Sequence, residues 1–279
     1  MIHIVTDSTA SAPPSLIEKY DIAVVPLRVL FGHESYREGV DMSNEEFYTR
    51  LAKVDRLPTT SQPTVAEFLD VYQRIVDGGD QAVSIHLSSK LSGTYNAAAQ
   101  AAAEFPDGSV TVVDTNWISL PMTFQVRAAA EAAADGASVE DVVAAVQRMD
   151  SRLHLYFVLD TLENLRKGGR ISGAKAMIGG LLNVKPILEL KNGVIEPVES
   201  PRSKKASVKR LLELMATTIA PDARLHVAVL DARADSEREE LERQIAQRFN
   251  VVEMLQAEVG PIIGTHTGAG AVGAAYYVD

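Results

Sequence analysis

Cysteine is absent from the 279-residue sequence, which excludes disulfides, a thiolate nucleophile and any cysteine-ligated zinc site, and agrees with a reducing compartment. Covalent chemistry would fall to Ser, Thr, His or Lys. Long apolar runs are absent too: nothing approaches the roughly 20 uninterrupted apolar residues of a membrane helix. The opening Met1-Ile2-His3-Ile4-Val5-Thr6-Asp7 lacks the basic segment followed by an apolar one that marks a secretory signal, so a cytoplasmic protein is expected. Positive charge is scarce. With 27 Lys and Arg against 37 Asp and Glu the formal charge is −10. That charge argues against a nucleic-acid partner, because neutralising phosphates supplies most of such affinity. A bare anionic membrane is disfavoured on the same ground unless positive charge gathers locally.

What is present is apolar material, 46% of the chain, enough for the two cores that the length predicts, since single cores stop growing near ~250–300 residues. Residues 1–150 alternate β-rich runs at 2–5, 22–30, 82–87 and 110–113 with amphipathic helices. This is the signature of a mostly parallel sheet with helices on both faces. Ser43-Asn44-Glu45-Glu46 and Thr64-Val65-Ala66-Glu67 read as capping boxes. After the second, Val65, Phe68, Leu69, Tyr72, Ile75 and Val76 recur at helical spacing. The Ala-rich runs 97–103 and 128–134 predict helices lying close on a sheet, and a helix at 139–149 ends the first domain near Asp150. Residues 151–279 read as a second α/β domain. Its strands are placed at 153–158, 184–190, 194–198, 225–230 and 251–255, with a glycine-punctuated helical stretch at 159–182 and helices at 203–217 and 235–249. Lys191-Asn192-Gly193 joins two of these strands as a hairpin. A mixed or antiparallel sheet with helices is expected there, with a ligand taken between the two lobes.

Three hydroxyl-rich segments stand at strand-to-helix junctions, where α/β sheets bind ligands. Thr59-Thr60-Ser61-Gln62-Pro63-Thr64 precedes a capped helix, and as an isolated cluster reads equally as a cap and turn. Ser88-Ser89-Lys90-Leu91-Ser92-Gly93-Thr94-Tyr95 enters an Ala-rich helix whose free N–H groups and dipole favour an anion. The Gly-x-Ser-x-Gly elbow of a serine hydrolase is not completed there, because Lys90 holds the first glycine position and Thr94 the last. Gly264-Thr265-His266-Thr267-Gly268-Ala269-Gly270-Ala271-Val272-Gly273 lacks the Gly-Lys-Ser/Thr ending of a P-loop, and no Lys or Arg follows it. A lone His266 by itself reads as a hydrogen-bonded structural residue.

These segments, together with Val5-Thr6-Asp7-Ser8, Arg166-Lys167-Gly168-Gly169-Arg170-Ile171 and Asn183-Val184-Lys185-Pro186-Ile187-Leu188, resemble the DegV family of bacterial fatty-acid-binding proteins in order and over the whole chain. The resemblance implies a two-domain fold holding one long-chain fatty acid between the lobes, with no cofactor and no catalytic residue of its own. It implies a partner, an ATP-dependent fatty acid kinase that phosphorylates the bound carboxylate, after which the acyl phosphate passes to phospholipid synthesis. Carried over by position, Thr60, Ser61, Ser92, Gly93 and His266 are the expected carboxylate grip, with Thr265 and Thr267 beside them. The chain departs from the family pattern at Thr64, where Ser is commoner, at Asn96-Ala97, where Gln-Ser is frequent, and at Ala269, where Pro often stands. None of these removes a proposed hydrogen-bonding group.

The grip suits its task. An acyl tail gains roughly 0.8 kcal/mol per buried CH₂, whereas an enclosed carboxylate costs several kcal/mol unless its oxygens are hydrogen-bonded. Hydroxyls, a helix-end N–H and a histidine able to carry a proton meet that demand. Residues 176–182 and Trp117, Ile118, Leu120, Met122 and Phe124 are candidates for the tail pocket, and equally for ordinary core. Two basic clusters, Arg166, Lys167, Arg170 and Lys175, and Arg202, Lys204, Lys205, Lys209 and Arg210, read either as solvated faces or as docking places for an acidic partner, an acyltransferase or a transient membrane contact. Arg170, Arg202, Lys204 and Lys205 are the chosen docking residues. Three rivals remain: a Ser92–His266 lipid hydrolase, a sugar- or polyol-phosphate module built on residues 264–273, and a purely structural interaction protein.

Overall fold

The computed structural model describes residues 1–171 and 184–279. Lys175, Asn183 and the segment 176–182 lie outside the described residues, as does most of the helical stretch expected at 159–182. In chain order the elements are β1 (Ile2–Asp7), a 3-10 turn (Ser8–Ala10), α1 (Pro14–Tyr20), β2 (Ala23–Val25), β3 (Arg28–Phe31), β4 (Glu34–Arg37), α2 (Asn44–Leu51) and β5 (Thr59–Ser61). There follow α3 (Val65–Asp77), β6 (Gln81–His86), α4 (Thr94–Ala102), β7 (Val110–Asp114), α5 (Leu120–Ala134), α6 (Val139–Asp150), β8 (His154–Val158) and α7 (Glu163–Lys167). The last are β9 (Ile187–Lys191), β10 (Val194–Glu199), α8 (Lys204–Thr218), β11 (Arg224–Asp231), α9 (Asp235–Arg248), β12 (Asn250–Glu258), α10 (Pro261–Thr267) and β13 (Val272–Val278). The chain divides into two compact units, Met1–Met42 with Thr60–Ser151 and Ser43–Thr59 with Arg152–Asp279.

The first unit is built on a parallel sheet in the order β2-β1-β6-β7. On one face α3 and α4 supply Phe68, Tyr72, Ala97, Ala98 and Ala101 to a core with Val5 and Val25 of the sheet. The alanines allow α4 close to the strands. On the other side α5 packs along β1 and α6 along β6. Strand β1 is covered on both faces, so Ile4, Val5, Thr6 and Asp7 are all buried and its sequence shows no alternation. The run expected as one strand over 22–30 is two short strands in different sheets. Pro26 between them has no N–H for a ladder.

The second unit holds a six-stranded mixed sheet, β10-β9-β8-β13-β11-β12, antiparallel except for the β11–β12 pair. Alternate residues Tyr156 and Val158 of β8, Leu225, Val227 and Val229 of β11, and Val272, Ala274 and Tyr276 of β13 form one apolar face. Against it α8 lays Val208, Leu211, Leu212 and Met215, and α9 lays Leu241 and Ile245. The expected hairpin is present, with Asn192 at φ 48° and Gly193 at φ 76°, the left-handed pair that a two-residue turn requires. Two elements were not foreseen. The glycine-rich segment read at 264–273 is split: its first residues belong to α10 (Pro261–Thr267) and its last to β13 (Val272–Val278), which lies inside the sheet between β8 and β11. Counting from chain order puts 43–59 with the N-terminal domain, yet α2 packs on α10 of the second unit, with Tyr48 donating its hydroxyl proton to the Val259 carbonyl at 2.8 Å.

Gly273 marks the tightest point of that sheet. A Cβ there would stand 2.7 Å from Phe157 Cβ and 2.7 Å from the Tyr156 carbonyl oxygen on the neighbouring strand. Gly273→Ala is expected to destabilise the protein by about 1–3 kcal/mol through overpacking, read as a lowered thermal midpoint. An unchanged midpoint would show that the β8–β13 pair yields without strain.

Candidate functional site

In the parallel sheet, β2 follows β1 on one side while β6 lies on the other. The strand order therefore reverses between the parallel pair β1 and β6, and the crevice beyond the carboxyl ends of two such strands is where open α/β sheets take ligands. The loop leaving β6 is held from several sides. Ser88 N donates to the Trp117 carbonyl at 2.9 Å, and Leu91 N and Ser92 N both donate back to Ser88 O at 2.9 and 3.1 Å. Ser92 Oγ accepts from Thr94 N at 3.3 Å and lies 2.9 Å from Thr94 Oγ1, so the hydroxyl stands over the first turn of α4.

Gly93 lets the first two motifs meet. A Cβ on Gly93 would collide with the side-chain amide of Gln62, which rests in the notch that the missing side chain leaves. Behind Gln62, Thr64 and Glu67 form the capping box of α3, with Glu67 N to Thr64 Oγ1 at 3.2 Å and Thr64 N to Glu67 Oε2 at 2.8 Å. Arg28 Nη2 clamps Glu67 at 2.5 Å. Gln62 thus meets Gly93, next to Ser92, in the first unit, with Thr60 and Ser61 just before it in the chain, and Gln62 is a residue that sequence reasoning did not single out. Its signal was its place inside Thr60-Ser61-Gln62-Pro63.

The segments Arg166–Ile171 and Gly264–Gly273 meet in the second unit in the same way. A Cβ on Gly168 would overlap Nδ1 of His266, so the imidazole of α10 lies directly on the backbone after α7. Asn164 Nδ2 donates to the Thr265 carbonyl at 3.4 Å, and Arg170 Nη1 donates to Gly168 O at 2.7 Å. Thr265 and Thr267 donate their hydroxyl protons to the Pro261 and Ile263 carbonyls at 2.8 and 3.1 Å. They brace the helix that carries His266. Burial first, and the positive Arg170 second, push the His266 pKa down to about 4. A pKa that low makes His266, read as able to carry a proton, a neutral imidazole at pH 7 in the ligand-free protein, because a cation there is both desolvated and repelled.

Of the docking residues, Arg202 and Lys205 are exposed. Lys204 is not a free cation: its ammonium contacts the Gly270 carbonyl and lies 3.2 Å from Asp160, which Lys185 also approaches at 3.1 Å. Arg170 sits beside His266, half-buried. Trp117, Leu120, Met122 and Phe124 are buried in the first unit at the start of α5. Among the described residues, no group of three or more His, Asp or Glu side chains could hold a metal ion, and no helix is long and apolar enough to cross a membrane.

The DegV family profile, described as "Uncharacterised protein, DegV family", matches residues 1–279. The chain belongs to the DegV family. A DegV domain-containing protein of Streptomyces coelicolor is 40% identical over 274 residues, covering 98% of this chain and 96% of that one. Among solved structures, "Fatty Acid Binding of a DegV family Protein from Thermus thermophilus" superposes with a TM-score of 0.94 at 36% identity, covering 100% of this chain and 99% of that one. "DegV, a fatty acid binding protein from Bacillus subtilis" does so with 0.90 at 36% identity and the same coverage. The DegV two-unit α/β fold, with its parallel and mixed sheets, is shared throughout.

The depressed His266 pKa has a measurable consequence. The unfolded chain takes a proton near pH ~6.5 that the folded chain refuses until about 4. The stability this group contributes is full above the unfolded value and falls as pH drops towards the folded one, by up to about 3 kcal/mol. Ligand-free protein should lose that stability between these two pH values, and His266→Gln should lose less. Arg170→Ala should raise the His266 titration midpoint read by NMR. A midpoint unmoved from the ordinary histidine value would contradict the arrangement.

Proposed function

We propose that the protein binds a long-chain fatty acid, with Thr60, Ser61, Gln62, Ser92 and Gly93 of the first unit and His266 of the second as carboxylate-binding residues, and Thr265 and Thr267 as braces for His266. The observation that carries this reading is the Gln62–Gly93 notch beside the Ser92 hydroxyl at the start of α4. It gathers an amide, hydroxyls and helix-end N–H groups without a lysine or arginine among its named members. Such a set offers hydrogen bonds to an anion, and the two solved relatives at 36% identity are fatty-acid-binding proteins by description. A tail of about sixteen carbons has on the order of 12 kcal/mol of gross driving force, so the tail supplies affinity and the grip supplies orientation.

The reading extends to a partner. The bound carboxylate is presented to a separate ATP-dependent kinase, one carboxylate oxygen attacks the terminal phosphorus of ATP, and ADP leaves as the acyl phosphate forms. No residue of this chain is required to do chemistry in that step. A neutral His266 leaves the carboxylate its charge and hence its nucleophilicity. Arg202 and Lys205, exposed on an otherwise acidic protein, are the docking residues that remain after Lys204 is assigned to Asp160. Transfer to phospholipid synthesis in the cytoplasm belongs to the same reading.

The hydrolase alternative gains nothing from the first unit. Its Ser–His–Asp series runs through Ser84, His86 and Asp7, each fully buried, and not through Ser92.

Organic extraction of the denatured protein followed by mass spectrometry is expected to yield near-stoichiometric fatty acid. Ser92→Ala should weaken rebinding by about tenfold, the worth of one charge-assisted hydrogen bond. Gly93→Ala should displace the Gln62 amide and weaken binding with little change in thermal midpoint, since an exposed glutamine end moves cheaply. Absence of extractable lipid together with no rebinding defeats the proposal. Charge reversal at Arg202 and Lys205 should reduce acyl phosphate formation with a fatty acid kinase while bound lipid is retained; equal loss of both would assign these residues to the fold.

A further inference from the structure

Among the buried polar groups outside the grip, one series crosses three elements of the first unit. Tyr72 of α3, Ser84 and His86 of β6, and Asp7 at the end of β1 are all 0% exposed. The Tyr72 hydroxyl donates to Ser84 Oγ at 2.7 Å, Ser84 Oγ lies 2.7 Å from His86 Nε2, and His86 Nδ1 lies 3.0 Å from Asp7 Oδ2. Asp7 also accepts from Leu87 N at 3.1 Å, from Thr9 N at 3.0 Å and from Thr9 Oγ1 at 2.5 Å.

The direction of the series follows from counting protons. Burial raises the Tyr72 pKa above the ordinary phenol value, so its O–H persists and donates. Ser84 has one proton to give and gives it to His86 Nε2, which must then be the bare nitrogen. The ring proton is left on Nδ1, facing the Asp7 carboxylate, which the Leu87 and Thr9 amides already mark as an acceptor. In this arrangement each of the three donors in line meets one acceptor, with the ring proton on Nδ1 facing Asp7.

We propose that Tyr72, Ser84, His86 and Asp7 are positioning residues for the carboxylate grip. Asp7 ties the end of β1 to Leu87, the first residue beyond β6, and so fixes where the Ser88–Gly93 loop leaves the sheet. Tyr72 ties α3 to the same strand, and the Phe68 ring of α3 lies edge-on to His86 at 5.0 Å. The helix that follows Gln62 and the loop that carries Ser92 are therefore set by one hydrogen-bonded line. The Ser84 hydroxyl, sealed and already accepting from Tyr72, has no hydrolytic role. All four are sealed from solvent, and none is a member of the proposed grip.

The inference rests on the fatty-acid reading for its binding readout, and its test separates the two. Full-length, lipid-stripped protein is titrated with a fluorescent polyene fatty acid, and the imidazole nitrogens are followed by NMR. Asp7→Asn and Ser84→Ala should weaken binding by about tenfold or more. The control Val83→Ala, on the same strand and fully buried, should leave affinity within about twofold at a comparable fall in thermal midpoint. His86 should show the Nδ1–H tautomer in the parent protein, and a mixture of tautomers in Asp7→Asn. Should these variants fail to fold, Tyr72→Phe removes only the outermost donor and should still weaken binding about threefold. Unchanged affinity in the folded variants, losses matched by Val83→Ala, or an Nε2–H imidazole in the parent overturns the proposal. Failure of the parent protein to bind any fatty acid sinks the fatty-acid reading instead, and the His86 tautomer then decides the hydrogen-bonded line alone.

Discussion

A single carboxylate, that of Asp7, receives hydrogen bonds from two backbone amides, a hydroxyl and an imidazole with no water-accessible surface on its own residue. Burying a carboxylate costs several kcal/mol unless its lone pairs are filled, so the surroundings cannot shift without leaving an expensive gap. The location matters as much as the strength. Asp7 closes β1 at the strand pair where the parallel sheet reverses its order, and Leu87 and Thr9 begin the loops on either side. A rigid anchor at that point fixes where the loop carrying the half-buried Ser92 hydroxyl leaves the sheet.

The second recurring device is the missing Cβ. Gly93 admits the Gln62 amide, Gly168 admits the His266 ring, and Gly264 admits Tyr48 Oη and Phe47 Cε1, which would stand 2.7 and 2.8 Å from a Cβ. Gly270 receives the Asp160 carboxylate in the same manner. Each of these glycines belongs to a motif that is unremarkable when taken alone, and each meets a side chain from another stretch of the chain. The Arg166–Arg170 and Gly264–Gly268 motifs, almost a hundred positions apart in order, answer one another for this reason: the first supplies a bare backbone and a positive charge, the second an imidazole that both keep neutral.

Much of the fold was legible in the sequence because local chemistry and tertiary packing agree there. Ser43 and Thr64 cap as their spacing with Glu46 and Glu67 demands, Asn192-Gly193 turns the hairpin, and Phe68 and Tyr72 face a core at helical spacing. The failures are equally physical. Val272–Val278 gives no alternation, since β13 is covered on both faces and uses Gly273 where a side chain would strike β8. Pro261–Thr267 has helix-poor glycine and threonine residues, and is held as helix by tertiary packing, Gly264 lying against Phe47 and Tyr48 of α2. For the site, hydroxyls and glycines were readable as a pattern, but the protonation of His266 was not. It depends on burial and on Arg170, neither of which spacing reveals.

A neutral imidazole changes what the proposed grip can do. A histidinium would form the strongest bond to a carboxylate and, for that reason, would hold its charge and lower its readiness to attack a phosphoryl group. A neutral ring offers at most one N–H and takes no charge from the oxygens. Arg170 also remains half-buried next to that ring, and its charge disfavours protonation of the imidazole. Binding of an anion would pull the His266 pKa upward, but starting from about 4 a rise of one or two units, the usual effect of one nearby opposite charge, still leaves the ring neutral at pH 7. On the proposed reading, a carboxylate held this way is tethered by the tail, oriented by neutral donors, and left with its full charge for the reaction that follows.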